Sequence, residues 1–393
     1  MEITDPADLA RLLADGGSLR RVRVQGVDLA GVEEALLARE DLRGLVVLGG
    51  RVSPRLADHL NRHGAVVFPV GPGAPVDVYR GRLYAPEELY AGLAEHGYAR
   101  TTPDARAYGW SRDVRLHGDP YVSVLRSLHD DAMNDALDEL VEGRSVVGVM
   151  GGHDIARGSE AYAGAARLGL ALAQAGLLVV TGGGPGAMEA ANLGAYAAHA
   201  GSRDEAARWL DDTLAALAPV PTFVPDVGAW AAVALQARAA LAGGGFGGAG
   251  VAGGVEAGDA GTVRSVGIPT WFYGHEPPNV FCDAIAKFFS NALREDGLLA
   301  RSNAGVVVLP GAAGTVQEVF QAVTRMYYRL PADGPPPPLV LVDREHWTEA
   351  LPVVPLVSAL GRGRAMEQSV ALVGSIDDVL GELLPQRVDG PLV

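Results

Sequence analysis

The chain has 393 residues, of which 47 are acidic and 32 are basic, and its formal net charge is −15. This length predicts two domains, and the negative charge argues against binding to nucleic-acid polymers or to a membrane surface, because both are anionic. A single cysteine, Cys282, excludes a disulfide within the chain and a cysteine metal cluster. The first residues lack the pattern of a secretion signal, and no apolar run approaches the roughly 20 residues that span a bilayer. We therefore expect a cytoplasmic protein.

Residues 1–100 predict a small α/β domain. Short β-branched runs at 22–27, 44–50 and 65–70 are bounded by glycine or proline and alternate with stretches of helical spacing. Such alternation indicates a parallel sheet covered by helices. Residues 101–143 follow as a predicted helical bridge, and we find no catalytic constellation in either segment.

Residues 144–393 predict a second, larger domain, in which apolar strands again alternate with helices. Continuous apolar strands between helices indicate a parallel sheet buried on both faces. The expected fold class is therefore α/β, a Rossmann-like doubly wound parallel sheet preceded by the smaller N-terminal α/β domain. An insertion at 201–262 contains the tract AGGGFGGAGVAGG at 242–254, and its composition predicts a mobile loop or lid.

Three glycine-bearing loops follow three predicted strands of the larger domain, at 151–153, 182–186 and 311–314. Ligands of doubly wound sheets bind at the carboxyl ends of the strands. Glycine allows backbone N–H groups to approach an anion, and the helix that follows adds the positive end of its dipole. Each loop alone is also explained as a tight turn, but three in one domain favour a phosphate-binding pocket.

Other ligands have weaker support in the sequence. The pattern GxxxxGK[ST] of a nucleoside triphosphate site is absent. The stretch TGGGPGA fits a dinucleotide-binding pattern, but the acidic residues about 20 positions later lie in a polar helical segment. No HExxH or paired-histidine spacing predicts a metal, and no GxSxG predicts a serine hydrolase. We therefore expect neither a metal nor a nicotinamide cofactor.

The paired stretches GGGPGAMEAAN (182–192) and PGAAGTVQE (310–318) resemble the signatures of the LOG-type family, long labelled lysine decarboxylases. The segments VVGVMGGHDI (146–155) and GHEPPNVF (274–281) are similar to its longer bacterial branch, the nucleotide 5'-monophosphate nucleosidases. The resemblance implies a Rossmann-like fold in a homodimer or higher homo-oligomer. It implies hydrolysis of a nucleoside 5'-monophosphate to a free base and ribose 5-phosphate, without a metal or organic cofactor. A decarboxylase would need a pyridoxal-binding lysine, but this domain is very poor in lysine and offers only Lys287 as a candidate, so we discount that label.

The resemblance also assigns roles to residues. By the PGGxGTxxE pattern, Glu318 is the catalytic acid residue, and a carboxylate there suits a transition state with developing positive charge on the ribose. The family's arginine falls at Arg294 if one extra residue is allowed near Gly297, and we choose it over Glu295. The expected substrate- and phosphate-binding residues are Gly151, Gly152, Gly182, Gly183, Gly184, Gly186, Met188, Gly311, Gly314 and Thr315. Possible further contacts are His153, Asn192 and Asn279.

Two observations keep alternatives open. Thr315-Val316-Gln317-Glu318 also fits a capping box, which would explain both Thr315 and Glu318 without a ligand. Ala312 replaces the second glycine of the family's pattern, so its methyl group requires a negative φ and narrows the pocket. The alternative to an enzyme is a nucleotide-binding regulatory protein without turnover. We expect Glu318 to face the pocket and Thr315 to face the phosphate.

Overall fold

A computed structural model describes residues 1–68, 73–99, 101–243, 262–272 and 276–384. The chain divides into two compact units, residues 1–82 with 113–136 and residues 83–112 with 137–393. The predicted bridge at 101–143 is thus shared between the two units. Most of the predicted glycine-rich lid lies outside the described residues, because 244–261 are not among them.

The first unit contains a sheet whose four described strands are parallel and lie in the order β1-β2-β3-β4. Asp5 and Ser53 cap the first and third helices, and each is followed by a proline whose fixed φ suits the first helical position. Leucine and valine side chains from the strands and helices form one buried core. The elements are β1 (Glu2–Ile3), α1 (Pro6–Ala14), β2 (Arg23–Gln25), α2 (Glu33–Leu37), β3 (Val46–Leu48), α3 (Pro54–Arg62) and β4 (Val66–Phe68).

The second unit contains a sheet whose seven described strands are all parallel and lie in the order β11-β10-β9-β5-β6-β7-β8. Its helices before the sheet are α4 (Pro86–Leu89), α5 (Leu93–His96), α6 (Pro103–Arg112) and α7 (Pro120–Val141), which begins in the first unit. The first half of the sheet domain comprises β5 (Val146–Met150), α8 (Glu160–Gln174), β6 (Leu178–Thr181), α9 (Ala187–Ala197), α10 (Arg203–Leu217) and α11 (Val227–Gly243). The remainder comprises β7 (Ser265–Gly267), β8 (Ala284–Ile285), α12 (Asn291–Arg301), β9 (Gly305–Val308), α13 (Ala313–Tyr327), β10 (Leu339–Val342), α14 (Val354–Gly361), β11 (Val370–Val373) and α15 (Val379–Leu383).

This topology confirms the predicted Rossmann-like doubly wound fold. Strands β5 to β8 proceed toward one edge, whereas β9 returns to pair with β5 and starts the other half. The order of the strands therefore reverses between β5 and β9, which is where such sheets bind ligands. Every residue of β5, β6, β9 and β10 is buried, as expected for strands covered by helices on both faces.

Helices α8 and α9 pack closely because glycines lie at their contact. A Cβ atom on Gly169 would overlap the carbonyl oxygen of Ala191, and one on Gly194 would overlap that of Ala166. This contact fixes α9, and thereby the glycine loop that precedes it, against the sheet. None of the helices in the described ranges has both the length and the apolar character needed to cross a bilayer.

Candidate functional site

The three glycine loops meet at the switch point of the larger sheet. The Gly152 N–H donates to the Pro310 carbonyl at 3.0 Å, and the Gly152 carbonyl accepts from the Ala187 N–H at 3.0 Å. A Cβ on Gly186 would lie 2.5 Å from the Gly152 oxygen, so the loops after β5 and β6 touch through backbone alone. The structure thus brings together all three loops that the sequence singled out. Close approach requires glycine at most of their positions, whereas a Cβ on Gly314 would meet nothing within 4 Å.

The start of α13 is open to a ligand. The helix begins at Ala313 with Ala312 as its N-cap residue, and no side chain among the described residues caps it. The first N–H groups of a helix lack partners within the helix and carry its positive dipole end. Thr315 is therefore the third helical residue and not the N-cap, so the capping-box alternative for Thr315 and Glu318 is wrong. Ala312 has the expected negative φ, −109°.

The Thr315 side chain is buried and packs against the loop before α13. A Cβ on Gly311 would lie 2.7 Å from Thr315 Cβ and closer still to its hydroxyl oxygen. The Gly311 N–H donates to His346 Nε2 at 3.3 Å, and this nitrogen lies 3.0 Å from the Gly311 carbonyl oxygen. The phosphate contact predicted for the Gly311 amide is therefore wrong, because that N–H already has a partner. His346 follows β10, and the sequence patterns did not indicate it because no motif links it to the glycine loops.

The loop after β6 supplies a second uncapped helix start. Gly186 is the N-cap residue of α9, has φ 71°, and receives no side-chain cap from the described residues. Gly183 also has a positive φ, 70°, but its N–H donates to the Thr181 hydroxyl at 2.9 Å. The phosphate contact predicted for the Gly183 amide is therefore wrong, because that N–H already has a partner. The phosphate contacts expected of this loop are therefore left to Gly184 and to the residues of the first turn of α9 after Ala187, whose N–H donates to Gly152.

Asn192 and Asn279 support the loop after β6, called the β6 loop below, through buried hydrogen bonds. The Asn279 amide nitrogen donates to the Gly184 carbonyl at 3.2 Å and to Asn192 Oδ1 at 3.0 Å. Asn192 Oδ1 also accepts from the Thr181 hydroxyl at 2.6 Å, and its amide nitrogen donates to the Ser265 hydroxyl at 2.8 Å. Both asparagines are fully buried. They position the loop, and the ligand contact that we considered possible for them is not available to these buried groups.

Glu318 and Arg294 form an ion pair beside the glycine loops. Arg294 Nη1 donates to Glu318 Oε1 at 3.0 Å, and Arg294 Nε donates to the Ile268 carbonyl, just after β7, at 2.9 Å. A Cβ on Gly182 would lie 3.2 Å from Arg294 Cζ, so the guanidinium fills the space that this glycine leaves. The arginine is 8% exposed. Glu318 thus faces Arg294, which lies against the loop after β6, and does not fold back onto its own helix.

Burial dominates the electrostatics of Glu318. It raises the pKa of Glu318 above the usual 4.5, Arg294 offsets part of this effect, and the charges of Glu295 and Glu276 add to it. A carboxylate in this setting ionises less readily than one in water. When ionised, it is poorly hydrated and interacts strongly with any positive charge that develops beside it.

Glu295, the alternative to Arg294, takes a different position. Its carboxylate accepts from the side-chain amides of Asn291, Gln317 and Gln321 at 2.6 to 2.8 Å. Only 5% of the residue is exposed. Three amide donors stabilise the buried charge without a direct cation, while Arg294 Nη1 lies 4.0 Å from Glu295 Oε1. Glu295 therefore ties α12 to α13 and leaves Arg294 to contact Glu318.

Three further side chains surround the β6 loop. Met188, predicted from the motif, lies against two glycines of the loop: a Cβ on Gly182 would be 2.7 Å from its Sδ, and a Cβ on Gly184 would be 3.0 Å from its Cε. A Cβ on Gly184 would also lie 3.3 Å from Glu276 Oε2. The other oxygen of that carboxylate, Glu276 Oε1, lies 3.6 Å from His153 Nδ1. His153 thus lies beside this loop, and its contact with a ligand stays a prediction. Glu276 is a site residue that the sequence reasoning missed.

Lys287, the only lysine in the chain, forms a buried ion pair. Its Nζ lies 2.7 Å from Asp104 Oδ1, which also accepts from the Trp271 indole N–H at 2.8 Å. Lys287 and Asp104 are both fully buried. Burial lowers the pKa of Lys287 while Asp104 raises it. An amine enclosed in this way does not fit the exposed lysine that a pyridoxal site needs.

Comparison with known proteins agrees with part of this site. Residues 144–202 match the model of the SLOG cluster4 family (LDcluster4), a LOG-like group. No curated protein matches the chain. Among solved structures, the chain is similar to the molybdenum cofactor binding protein from the phototrophic bacterium Rippkaea orientalis, with 17% identity and a TM-score of 0.32 over 61% of this chain and 94% of that chain. The matched family segment runs from β5 to α9 and contains two of the three glycine loops.

Proposed function

We propose that the protein hydrolyses the N-glycosidic bond of a nucleoside 5'-monophosphate, which releases the free base and ribose 5-phosphate. The observation that carries this proposal is the Arg294–Glu318 pair, 3.0 Å apart, beside two uncapped helix starts. A carboxylate next to a phosphate-binding loop is the arrangement that such a reaction needs. The LOG-like segment at 144–202 supports a nucleotide-related ligand.

The phosphate of the substrate binds at the start of α13. The N–H groups of Ala313, Gly314 and Thr315 are the first of that helix, and an anion there gains both hydrogen bonds and the favourable helix dipole. The Thr315 hydroxyl, close to Gly311, is a further donor. Anchoring the phosphate places the ribose within reach of Glu318, one turn further along α13, and removes most of the freedom of the substrate before reaction.

The ionised Glu318 stabilises the positive charge that develops on the ribose as the bond from C1' to the base nitrogen breaks. Water then supplies an oxygen to C1', and its proton balances the charge on the departing base. Arg294 holds the carboxylate in place through its bonds to Glu318 and to the Ile268 carbonyl. Because Glu318 is largely removed from water, this stabilisation is stronger than the same contact at a protein surface.

A panel of purine and pyrimidine monophosphates tests the proposal. We expect release of ribose 5-phosphate from at least one of them, and loss of that release in Glu318→Gln. The matched control is Glu382→Gln, the same change at an exposed glutamate of α15, which should retain wild-type activity. Folded protein that releases no ribose 5-phosphate from any monophosphate would contradict the proposed reaction.

A second candidate is a nucleotide-binding regulatory protein without turnover. Two observations favour it: the Glu318 carboxylate is already engaged by Arg294, and Ala312 adds a methyl group at the entrance of the α13 loop. Calorimetry with the same monophosphates distinguishes the two candidates. Tight binding without release of ribose 5-phosphate would support the regulator, whereas turnover that depends on Glu318 supports the enzyme.

A further inference from the structure

A cavity of about 280 Å³ adjoins the glycine loops after β5 and β6. Its volume is near the lower limit of small-molecule pockets, roughly 300 Å³. The loops after β5 and β6 form one wall, and the chain between α10 and α11 forms the other. Six of its lining residues are His153, Asp154, Gly186, Thr222, Phe223 and Trp230.

The second wall comes from outside the LOG-like segment. Thr222 and Phe223 follow α10 and Trp230 lies on α11, whereas the family match ends at residue 202. The sequence predicts 201–262 as an insertion whose tract at 242–254 forms a mobile loop or lid. The described part of this insertion contributes a wall to a cavity next to the candidate site.

Arg157 fixes this wall in place. Its backbone N–H donates to the Pro221 carbonyl at 3.0 Å, and its Nη1 donates to the Trp230 carbonyl at 3.0 Å. The guanidinium also lies 4.6 Å from the Trp230 ring centre and pairs with the buried Glu189 of α9. Because one buried arginine ties the insertion to the helix of the glycine loop, the cavity is preformed.

The cavity combines an aromatic surface with polar groups. The rings of Phe223 and Trp230 are 6.3 Å apart at 70°, and Trp230 is buried whereas Phe223 is partly exposed toward the cavity. Asp154 supplies a carboxylate acceptor, and the Thr222 hydroxyl, which donates to the Val224 carbonyl at 2.8 Å, keeps its oxygen as an acceptor. A flat heterocycle with N–H groups at its edge complements such a surface, since bases stack on aromatic side chains.

We propose that this cavity binds the base of the nucleotide, with Phe223 as the stacking residue and Asp154 as the acceptor for an N–H of the base. The inference rests on the proposed function, because it takes the phosphate to lie at the start of α13. Gly186 lines the cavity and lies against Gly152, whose N–H donates to the Pro310 carbonyl in the loop before α13. A nucleotide bound by these loops can thus reach the cavity with its base while its phosphate stays at the start of α13.

Calorimetry in a Glu318→Gln background, where turnover is removed, tests the base site. The ligands are the panel of nucleoside monophosphates and ribose 5-phosphate, which lacks a base. We expect Phe223→Leu to weaken the best nucleotide by roughly 5- to 150-fold, the range that corresponds to loss of one stacked base, and to leave ribose 5-phosphate within about twofold. Phe223→Tyr, which keeps the ring, should restore nucleotide affinity. The control Phe68→Leu, a partly buried phenylalanine of the first unit, should change neither ligand.

The outcomes separate this inference from the proposed reaction. Nucleotide affinity that is unchanged in Phe223→Leu, or a loss that is equal for ribose 5-phosphate, would overturn the base site even if the wild-type protein hydrolyses nucleotides. If the wild-type protein releases no ribose 5-phosphate but Phe223→Leu still loses nucleotide binding selectively, the reaction would be overturned and the base site supported. Absence of binding of every ligand to the folded protein would overturn both.

Discussion

Substitution of Gly182 by alanine tests whether the position of Arg294 determines activity. The added Cβ would lie 3.2 Å from Arg294 Cζ and closer than 3.0 Å to its Nη2, whereas non-bonded atoms of this kind need about 3.5 Å. The guanidinium must therefore retreat by roughly 1 Å. This movement breaks or lengthens its hydrogen bonds of 3.0 Å to Glu318 and 2.9 Å to the Ile268 carbonyl. A misplacement of about 1 Å in an active site costs about 100-fold in rate, and overpacking costs about 1–3 kcal/mol of stability.

The assay is the release of ribose 5-phosphate at saturating monophosphate, together with urea unfolding. Gly109→Ala is the matched control, because Gly109 is exposed in α6 and its added Cβ would meet no described atom within 4 Å. That change should stabilise the protein by about 0.4–1 kcal/mol and leave the rate unaltered. A Gly182→Ala protein that is folded and retains more than half of the wild-type kcat would refute the role given to Arg294.

Glu318→Gln should lower kcat by at least about 100-fold, in line with loss of one group that stabilises transition-state charge, while unfolding experiments show no loss of stability at pH 7. The reason is that burial raises the pKa of Glu318 above 4.5, so ionisation opposes folding progressively as the pH rises past that unfolded-state value and fully above the folded pKa; a clear loss of stability at pH 7 would contradict this reasoning. The same shift predicts where activity is lost on acidification: kcat/KM should begin to fall at a pH above the 4.5 of an ordinary glutamate, because Glu318 becomes protonated there. A fall with a midpoint at or below pH 4.5 would show that protonation of Glu318 does not cause it. Lys287→Met leaves Asp104 buried without its cation and should cost about 3–5 kcal/mol in urea unfolding; a cost below about 1 kcal/mol would show that the other donors to Asp104 suffice.

The fold and the meeting of the loops could be predicted from local sequence. Apolar strands followed by glycines determine a parallel sheet with open carboxyl ends, and the strand order then places the loops after β5 and β9 side by side. The identity of Arg294 needed more than local spacing. Successive residues of a helix point about 100° apart, so only the three-dimensional packing shows that Arg294 faces the β6 loop while Glu295 faces α13.

The errors have a common physical origin. Thr315 and Glu318 satisfy a local capping pattern, but a partner from α12 binds the Glu318 carboxylate and the helix begins at Ala313, three residues earlier than that pattern requires. Asn192 and Asn279 are adjacent to the loops in sequence, yet they bond to each other across 87 residues. Long-range hydrogen bonds override local patterns in such cases, and a single sequence carries no signal for them.

The burial of Lys287 also gives the protein an intrinsic probe of its own fluctuations. Because this lysine is the only one in the chain and is fully enclosed with Asp104 of α6, acylating or reductively methylating reagents find no side-chain amine at the surface of the native molecule. Modification of Lys287 requires α6 to separate from the carboxyl end of β8. The rate at which mass spectrometry detects one modified lysine would therefore measure how often that part of the larger unit opens, without any introduced label.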